Sequence, residues 1–130
     1  MTYLEIVKST YEGGSSEQNG INTAKALAPN AEWTEAVGFP YAGTYIGYDE
    51  IFKNVFYKLG TEWTNYKLSI EDYVASGNKV VAYGTYSGIY NKTGKFMSAR
   101  VAHLWEFKND KAIRFEQFVD SKTVVDAMQK

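Results

Sequence analysis

The feature that most constrains the fold of this chain is a change in the spacing of its apolar residues near the midpoint. From Trp63 onward, apolar side chains recur at every second position, which is typical of strands that bury one face. Short polar turns interrupt this alternation, and turns of that length join neighbouring antiparallel strands. The strands predicted in this way are Trp63–Ala75, Lys79–Tyr90, Phe96–Phe107 and Lys111–Val119.

The first half of the chain is predicted to be mainly helical. Its apolar residues recur at helical spacing around Leu4–Tyr11, Ala24–Ala28 and Ile51–Leu59. Helices that precede a long antiparallel meander predict an α+β domain. The remaining predicted features are a helix start at Ser15-Ser16, a break at Pro29-Asn30, a short strand at Glu32–Glu35, a loop from Gly38 to Gly47 and a final helix from Ser121 to Met128.

The composition indicates one globular domain. The 130 residues are 45% apolar and 22% charged, with a net charge of −1 and no basic run, so neither nucleic acid nor a membrane is an expected partner. The absence of cysteine excludes disulfides, thiolate catalysis and cysteine-bound metal. The N-terminus, Met1–Glu5, has neither a basic region nor a long apolar stretch, so we expect a cytoplasmic protein.

The one histidine of the chain is predicted to face the interior. In the segment from Phe96 to Phe107, the odd positions are apolar except for His103. Successive side chains of a strand point to opposite faces, so His103 belongs to the face that is to be buried. A buried polar ring is costly unless it is hydrogen-bonded. His103 therefore either has a structural partner or lines a cavity that a small molecule occupies.

The turns predict which side chains surround His103. If Phe107 pairs with Lys111 across the last turn, His103 lies opposite Phe115 and diagonal to Gln117. If Asn91 pairs with Lys95 across the preceding turn, Tyr83 lies opposite His103 on its other side. A histidine, a glutamine and a tyrosine then share an otherwise apolar face. A few polar groups in an apolar concavity are typical of a small-molecule site, but a satisfied core network has the same composition.

Three stretches of the chain are similar to a known family. They are Glu32–Tyr41, Gly43–Gly47, and the end of the chain from His103-Leu104-Trp105 through Phe115–Asp120. Nearly the whole chain resembles the SnoaL-like group, related to ketosteroid isomerases, of the nuclear transport factor 2-like superfamily. The resemblance implies a single domain over 1–130, a cystatin-like α+β roll whose curved antiparallel sheet wraps the N-terminal helices around a mostly apolar pocket. Members include isomerases, polyketide cyclases, dehydratases, epoxide hydrolases and proteins that only bind.

Three residues match the ketosteroid isomerase pattern. The resemblance implies that Tyr11 is an oxyanion-hole tyrosine, that Glu35 replaces the general-base aspartate, and that His103 replaces a protonated aspartate that donates to the oxyanion. In such a site the carboxylate removes a proton beside a carbonyl, and two donors stabilise the enolate. Glutamate and histidine both depart from the pattern, so the resemblance does not extend to the steroid substrate. The structural alternatives are a core tyrosine at Tyr11 and a solvated carboxylate at Glu35.

Asp120 is a fourth candidate. It matches the acid–base aspartate that the resemblance to SnoaL-like cyclases implies. It also stands immediately before the predicted final helix, and aspartate is a favoured N-cap, which is the interpretation that we prefer. No metal site is expected, because the single histidine has no matching cluster of acids.

Two functions from different classes fit this pattern. The first is an isomerase, cyclase or dehydratase that acts on a hydrophobic carbonyl compound without a cofactor, with Glu35 or Asp120 as the base and His103 and Tyr11 as donors. The second is a non-catalytic protein that binds a small hydrophobic ligand. A protein-interaction module is disfavoured, because the sequence shows no large charged patch and its polar candidates point inward. The predicted pocket residues are Tyr11, Trp33, Glu35, Tyr83, His103, Trp105 and Gln117.

A homodimer is also predicted. The helices can cover only one side of the sheet, so the other side exposes apolar area unless a second copy covers it. Tyr86 and Tyr90 are predicted to lie on that outer side, together with Leu104 and Phe118. The family resemblance implies the same assembly.

Overall fold

The helices and strands of the protein follow the order expected from the sequence, as seen in a computed structural model that describes residues 1–130. The helical segments are α1 (Tyr3–Tyr11), α2 (Ser16–Ala26), α3 (Tyr48–Ile51), a π-helical turn (Phe52–Phe56), α4 (Tyr57–Glu62) and α5 (Ser121–Ala127). The strands are β1 (Leu27–Glu35), β2 (Gly43–Ile46), β3 (Trp63–Ser76), β4 (Lys79–Tyr90), β5 (Phe96–Lys108) and β6 (Lys111–Val119). The four strands and three main helices predicted from periodicity are therefore confirmed, and α3, the π-helical turn and α4 form the third helix.

Polar side chains determine where three of the helices begin. Thr2 and Glu5 form a capping box at the start of α1. Ser15 caps α2, and Asp120 caps α5 by accepting a hydrogen bond from the Thr123 amide. Each cap satisfies an amide that has no partner within its helix.

All six strands form one curved sheet in the order β2-β1-β6-β5-β4-β3. Neighbouring strands are antiparallel except β1 and β6, which are parallel. Gly84 on β4 lies against a bulge of β3, where a Cβ atom would be 1.9 Å from the carbonyl oxygen of Ser69. Such bulges and glycines bend a sheet, and this one wraps around the helices. The predicted α+β roll is confirmed.

Three predicted boundaries are wrong. Leu27 and Ala28 share the helical spacing of the second predicted helix, but α2 ends at Ala26 and these two residues begin β1. Pro29 and Asn30 do not break the chain but lie inside β1, where the pairing with β6 shifts register between Leu27 and Glu32. A proline is tolerated there because the ladder is already interrupted. The predicted loop from Gly38 to Gly47 also contains β2, which pairs with the end of β1.

The pairing of β4 with β5 differs by one residue from the prediction. The turn after β4 closes with four residues, and His103 lies opposite Ala82. A shift of one residue moves every side chain of a strand to the other face. Tyr83 therefore faces away from the helices, while Tyr86 and Tyr90 are buried on the inner face, the reverse of their predicted placement.

The pairing of β5 with β6 also differs from the prediction. Asn109 and Asp110 have φ values of 51° and 65°, as a two-residue hairpin turn requires, and a bulge follows between Glu106 and Phe107. His103 consequently lies directly opposite Gln117 instead of Phe115.

The outer face of the sheet exposes part of its apolar surface. Phe118 on β6 is 51% exposed, and Phe96 at the start of β5 is exposed as well. Tyr86 and Tyr90 do not contribute to this surface, because they face inward. No helix combines the length and the apolar character needed to cross a membrane.

Most of the buried side chains form two apolar clusters. One surrounds Trp33, Trp105 and Phe115, and the other surrounds Tyr86 and Trp63. Five buried polar residues belong to neither cluster. Thr10 and Thr23 lie on helices, and the three on the sheet are Glu35, His103 and Gln117. They mark the region of the sheet where a site is to be sought.

Candidate active site

A cavity of about 540 Å³ lies between the helices and the inner face of the sheet. Five of the seven predicted pocket residues line it: Tyr11, Trp33, Glu35, His103 and Trp105. This volume is in the range of pockets that bind small organic molecules. The structure therefore brings the histidine and the carboxylate to one cavity wall.

His103 is held at both ring nitrogens. Its Nδ1 atom lies 2.6 Å from the Tyr11 hydroxyl oxygen, and its Nε2 atom lies 2.5 Å from that of Tyr86. Burial lowers the pKa of His103 to about 3, so the ring is neutral near neutral pH. Since both nitrogens have protein partners, the ring has no polar atom left for a bound molecule.

Each tyrosine hydroxyl accepts a further hydrogen bond. Trp105 Nε1 donates to Tyr11 Oη at 2.9 Å, and Gln117 Nε2 donates to Tyr86 Oη at 3.0 Å. The orientation of the Gln117 amide is fixed because its Oε1 atom accepts from the amide of Ala36 at 3.0 Å. Gln117 therefore lies behind the cavity wall and supports it, rather than lining the cavity as predicted.

Glu35, the last residue of β1, is a buried carboxyl group in the same wall, with 4% of its surface exposed. Trp33 Nε1 donates to its Oε2 atom at 3.2 Å, and Gln117 Nε2 lies 3.5 Å from its Oε1 atom. Burial raises the pKa of Glu35 to about 8, against a smaller lowering effect of the bond from Trp33. A carboxyl group that ionises near neutral pH can both take up and release a proton.

Tyr66 on β3 carries the one buried side-chain polar atom without a hydrogen-bond partner, its hydroxyl oxygen. The residue lines the cavity, and its ring centre is 5.4 Å from that of Tyr86. Burial and then the nearby Glu35 carboxylate raise the pKa of Tyr66 well above 10, so the hydroxyl keeps its proton. An unpartnered buried hydroxyl is rare in proteins and calls for a partner inside the cavity.

Tyr66 and Tyr86 are two tyrosines of the cavity wall that the sequence did not predict there. Tyr86 lies an even number of residues from the buried Val80 and Ala82 on β4 and therefore faces the same side of the sheet. The one-residue error in the predicted register assigned it to the opposite face. Tyr66 lies in the irregular stretch of β3 between Thr64 and Lys67, next to Asn65 with its positive φ of 55°, so strand alternation does not predict its direction.

Two predicted site residues lie elsewhere. Tyr83 is on the outer face of β4, because the register there differs from the prediction. The side chain of Asp120 caps α5. The hydrogen bonds that its carboxyl group accepts from Thr123 lower the pKa of that group. Asp120 does not line the cavity, in agreement with the capping interpretation.

The rest of the cavity is apolar inside and polar at its mouth. Trp33 stacks on Phe115 with ring centres 3.6 Å apart, and Phe56 of the π-helical turn meets Trp33 edge-on. Glu17 and Lys67 are among the residues at the exposed rim. No three histidine, aspartate or glutamate side chains lie close enough together to hold a metal ion.

Several solved structures are similar to this one. An NTF2-like protein from Burkholderia thailandensis E264 shares 42% identity and a TM-score of 0.94, covering 100% of this chain and 99% of that one. TerC, co-crystallized with polyporic acid, has 21% identity and a TM-score of 0.82, over 98% of both chains. A protein with a ketosteroid isomerase-like fold from Catenulispora acidiphila DSM 44928, in complex with trimethylamine, has 14% identity and a TM-score of 0.78, over 97% of this chain and 93% of that one.

The family follows from the sequence as well. No curated protein matches the chain. A family model described as the SnoaL-like domain matches residues 11–115, which include Tyr11, Glu35, Tyr86 and His103 of the cavity wall. The chain belongs to the SnoaL-like domain family, as its resemblance to that group predicted.

Proposed function

We propose that this protein is an enzyme that moves a proton on a hydrophobic carbonyl compound, as an isomerase, cyclase or dehydratase does. The observation that carries the proposal is the placement of Glu35, a buried carboxyl group on the wall of an aromatic cavity with a pKa of about 8. General acid–base catalysis is most effective when the pKa of the catalytic group is close to the working pH. Structural carboxylates, by contrast, are mostly exposed or paired with a cation.

Glu35 is assigned the role of base. Its carboxylate takes a proton from the carbon next to the carbonyl, and the electron pair of that C–H bond moves to the carbonyl oxygen to form an enolate. Return of the proton to another carbon, or loss of a leaving group, completes an isomerisation or an elimination. The apolar surroundings leave the carboxylate poorly solvated, which makes it a stronger base than in water.

The tyrosine hydroxyls are assigned the role of stabilising the enolate oxygen. Burial raises the pKa of Tyr11 and of Tyr86 well above its ordinary value, so both stay protonated, and the one that does not donate to His103 can donate to the enolate oxygen. Donors held in position by their own partners stabilise a developing charge without reorganising. His103 differs here from the role that the ketosteroid isomerase pattern implies, since it bonds to the two tyrosines and acts as a positioning residue.

Deuterium exchange into 2-tetralone, a bicyclic ketone with acidic C–H bonds, tests this proposal. Proton NMR follows the exchange in D2O, and we expect the wild-type protein to accelerate it above the buffer rate. Glu35→Gln should reduce the rate of the catalysed exchange at least about 100-fold. Asp120→Asn is the matched control, because it removes an exposed carboxylate that caps α5. Acceleration that survives in Glu35→Gln would overturn the role of Glu35.

The second candidate function is the binding of a small hydrophobic molecule without chemistry. It is favoured by the observation that the buried polar side-chain atoms of the wall, except the Tyr66 hydroxyl, already have partners within the protein. Two structural neighbours, crystallized with polyporic acid and with trimethylamine, hold small molecules. If 2-tetralone binds to the wild-type protein and its protons exchange only at the buffer rate, this second function is the better one for such ketones.

A further inference from the structure

The hydrogen bonds around His103 can be counted proton by proton. The Tyr11 hydroxyl has two partners, His103 Nδ1 and Trp105 Nε1, and the Tyr86 hydroxyl has two, His103 Nε2 and Gln117 Nε2. The indole of Trp105 and the amide nitrogen of Gln117 can only donate. Each tyrosine oxygen therefore accepts one hydrogen bond already, whatever the histidine does.

The neutral imidazole of His103 has one N–H group and one lone pair. One tyrosine must donate its proton to the lone pair, and the other must accept from the N–H group. The tyrosine that accepts from the ring is left with its own hydroxyl proton unused. If Nδ1 carries the ring proton, the unused proton is that of Tyr11, and if Nε2 carries it, the unused proton is that of Tyr86.

Tyr66 supplies a second unused proton on the same wall. Its hydroxyl is buried and has no partner, and its ring lies beside that of Tyr86. The wall therefore offers two unused hydroxyl protons, and the Tyr66 oxygen is the one hydroxyl oxygen of this group that accepts no hydrogen bond within the protein.

We propose that this wall is a two-proton donor site in which the tautomer of His103 decides whether Tyr11 or Tyr86 donates, while Tyr66 donates in either case. The site selects a neutral compound with carbonyl-type acceptor oxygens over an amine or a hydrocarbon of the same shape. This inference rests on the proposed function for the choice of cavity and deepens it by naming the ligand chemistry and the residues that read it.

Nitrogen NMR of the ring tests the tautomer assignment directly, because His103 is the only histidine in the chain. After 15N-histidine labelling, we expect a neutral ring at pH 7 in the wild-type protein. Tyr86→Phe leaves Nε2 without a partner, and an unpaired lone pair costs less than an unpaired N–H group, so the proton should reside on Nδ1. By the same reasoning, Tyr11→Phe should place it on Nε2. A charged ring in the wild type, or the same tautomer in both variants, would overturn the proposal.

Binding of three bicyclic probes tests the selectivity without relying on those variants. Calorimetry with 2-tetralone, tetralin and 2-aminotetralin compares an acceptor, a hydrocarbon and a cation on one skeleton. We expect 2-tetralone to bind tightest, Tyr66→Phe to weaken it about 3- to 10-fold, and tetralin binding to be unchanged by that substitution. Addition of 2-tetralone, but not of tetralin, should also shift the tautomer signal of His103 in the wild-type protein.

The outcomes separate this inference from the proposed function. Tighter binding of 2-aminotetralin than of 2-tetralone, or no effect of Tyr66→Phe on the ketone, would overturn the donor site even if the protein exchanges protons. Conversely, a ketone that binds as expected but does not exchange in the wild type would overturn the catalytic role and leave the donor site intact.

Discussion

The Nδ1 atom of His103 lies 2.6 Å from the hydroxyl oxygen of Tyr11, which precedes it by 92 positions in the chain. This contact joins the end of α1 to the middle of β5, so a polar bond inside the protein fixes the helix against the sheet. On the other side of the ring, the contact with Tyr86 crosses from β5 to β4. The histidine thus ties three elements together at the wall of the cavity.

The His103→Gln substitution should destabilise the protein. Glutamine cannot bond to both tyrosines in the same geometry, so at least one buried hydroxyl loses one of its two partners, and the expected loss is about 1–3 kcal/mol. Urea unfolding of the variant and the wild type measures this difference. Tyr83→Phe, which removes a hydroxyl from the outer face, should change stability by less than about 0.5 kcal/mol. Equal losses in the two variants would contradict the prediction.

Glu35 should make the stability of the protein fall as the pH rises from about 4.5 to about 8, and above about pH 6.5 no opposite contribution from His103 offsets this fall. Burial raises the pKa of Glu35 from 4.5 to about 8, so the folded protein holds this proton more tightly than the unfolded chain. Stability from such a group is full below pH 4.5 and is lost as the pH rises through the folded pKa, by at most about 5 kcal/mol. Unfolding titrations at several pH values measure the slope, and Glu35→Gln should abolish it. A pH dependence that persists in this variant would show that another group causes it.

His103 should make the stability of the protein fall as the pH is lowered, the opposite of the effect of Glu35. Burial lowers its pKa from 6.5 to about 3, so its contribution is present above pH 6.5 and is lost as the pH falls toward 3. The nitrogen chemical shifts of the single histidine should therefore remain those of a neutral ring at pH 5. A ring that becomes charged between pH 6 and 7 would show that the burial is incomplete.

The rate of proton exchange should rise with pH and level off above about pH 8, because Glu35 acts in its ionised form. The pH profile of the exchange of 2-tetralone measures this. Asp120→Asn should leave the profile in place, because Asp120 lies outside the cavity. A profile that follows a group with a pKa near 4 would point to an ordinary exposed carboxylate.

The Gly84→Ala substitution should cost more than about 2 kcal/mol, since the new Cβ atom would be 1.9 Å from the backbone oxygen of Ser69 and the bulge of β3 would have to move. Gly60→Ala is the control. No atom lies within 4 Å of its added methyl group, and α4 should gain up to about 1 kcal/mol from alanine. Thermal melts of both variants compare the two positions. A mild effect at Gly84 would mean that the curvature of the sheet does not depend on this contact.

The homodimer stays a prediction, now based on the outer face of β5 and β6 rather than on Tyr86 and Tyr90. Light scattering at micromolar concentration should give twice the chain mass of 14.7 kDa. Phe118→Glu places a charge on the exposed outer surface and should shift the mass toward that of one chain. A single-chain mass for the wild type would count against the dimer.

Part of the candidate site was predictable from the sequence. The cavity is lined, as predicted, by Tyr11, Trp33, Glu35, His103 and Trp105. Strand alternation predicts His103 and Trp105, the family resemblance implies Tyr11 and Glu35, and Trp33 is their bulky apolar neighbour. Tyr86 was assigned to the wrong face, and Tyr66 was missed. The polar partner of His103 on β4 was consequently misidentified as Tyr83.

What the sequence determined by itself was the main helices, the four long strands and the inward direction of His103. Alternation and helical spacing depend only on residues that are close in the sequence, so they can be recognised without knowledge of the rest of the fold. The tertiary structure decided the register: the four-residue turn after β4 and the bulge near Phe107 each shift the pairing by one residue. Because one residue exchanges the two faces of a strand, this small difference placed Tyr86 instead of Tyr83 against the histidine. The tertiary structure also determines the raised pKa of Glu35, because that pKa results from burial by residues that are distant in the chain.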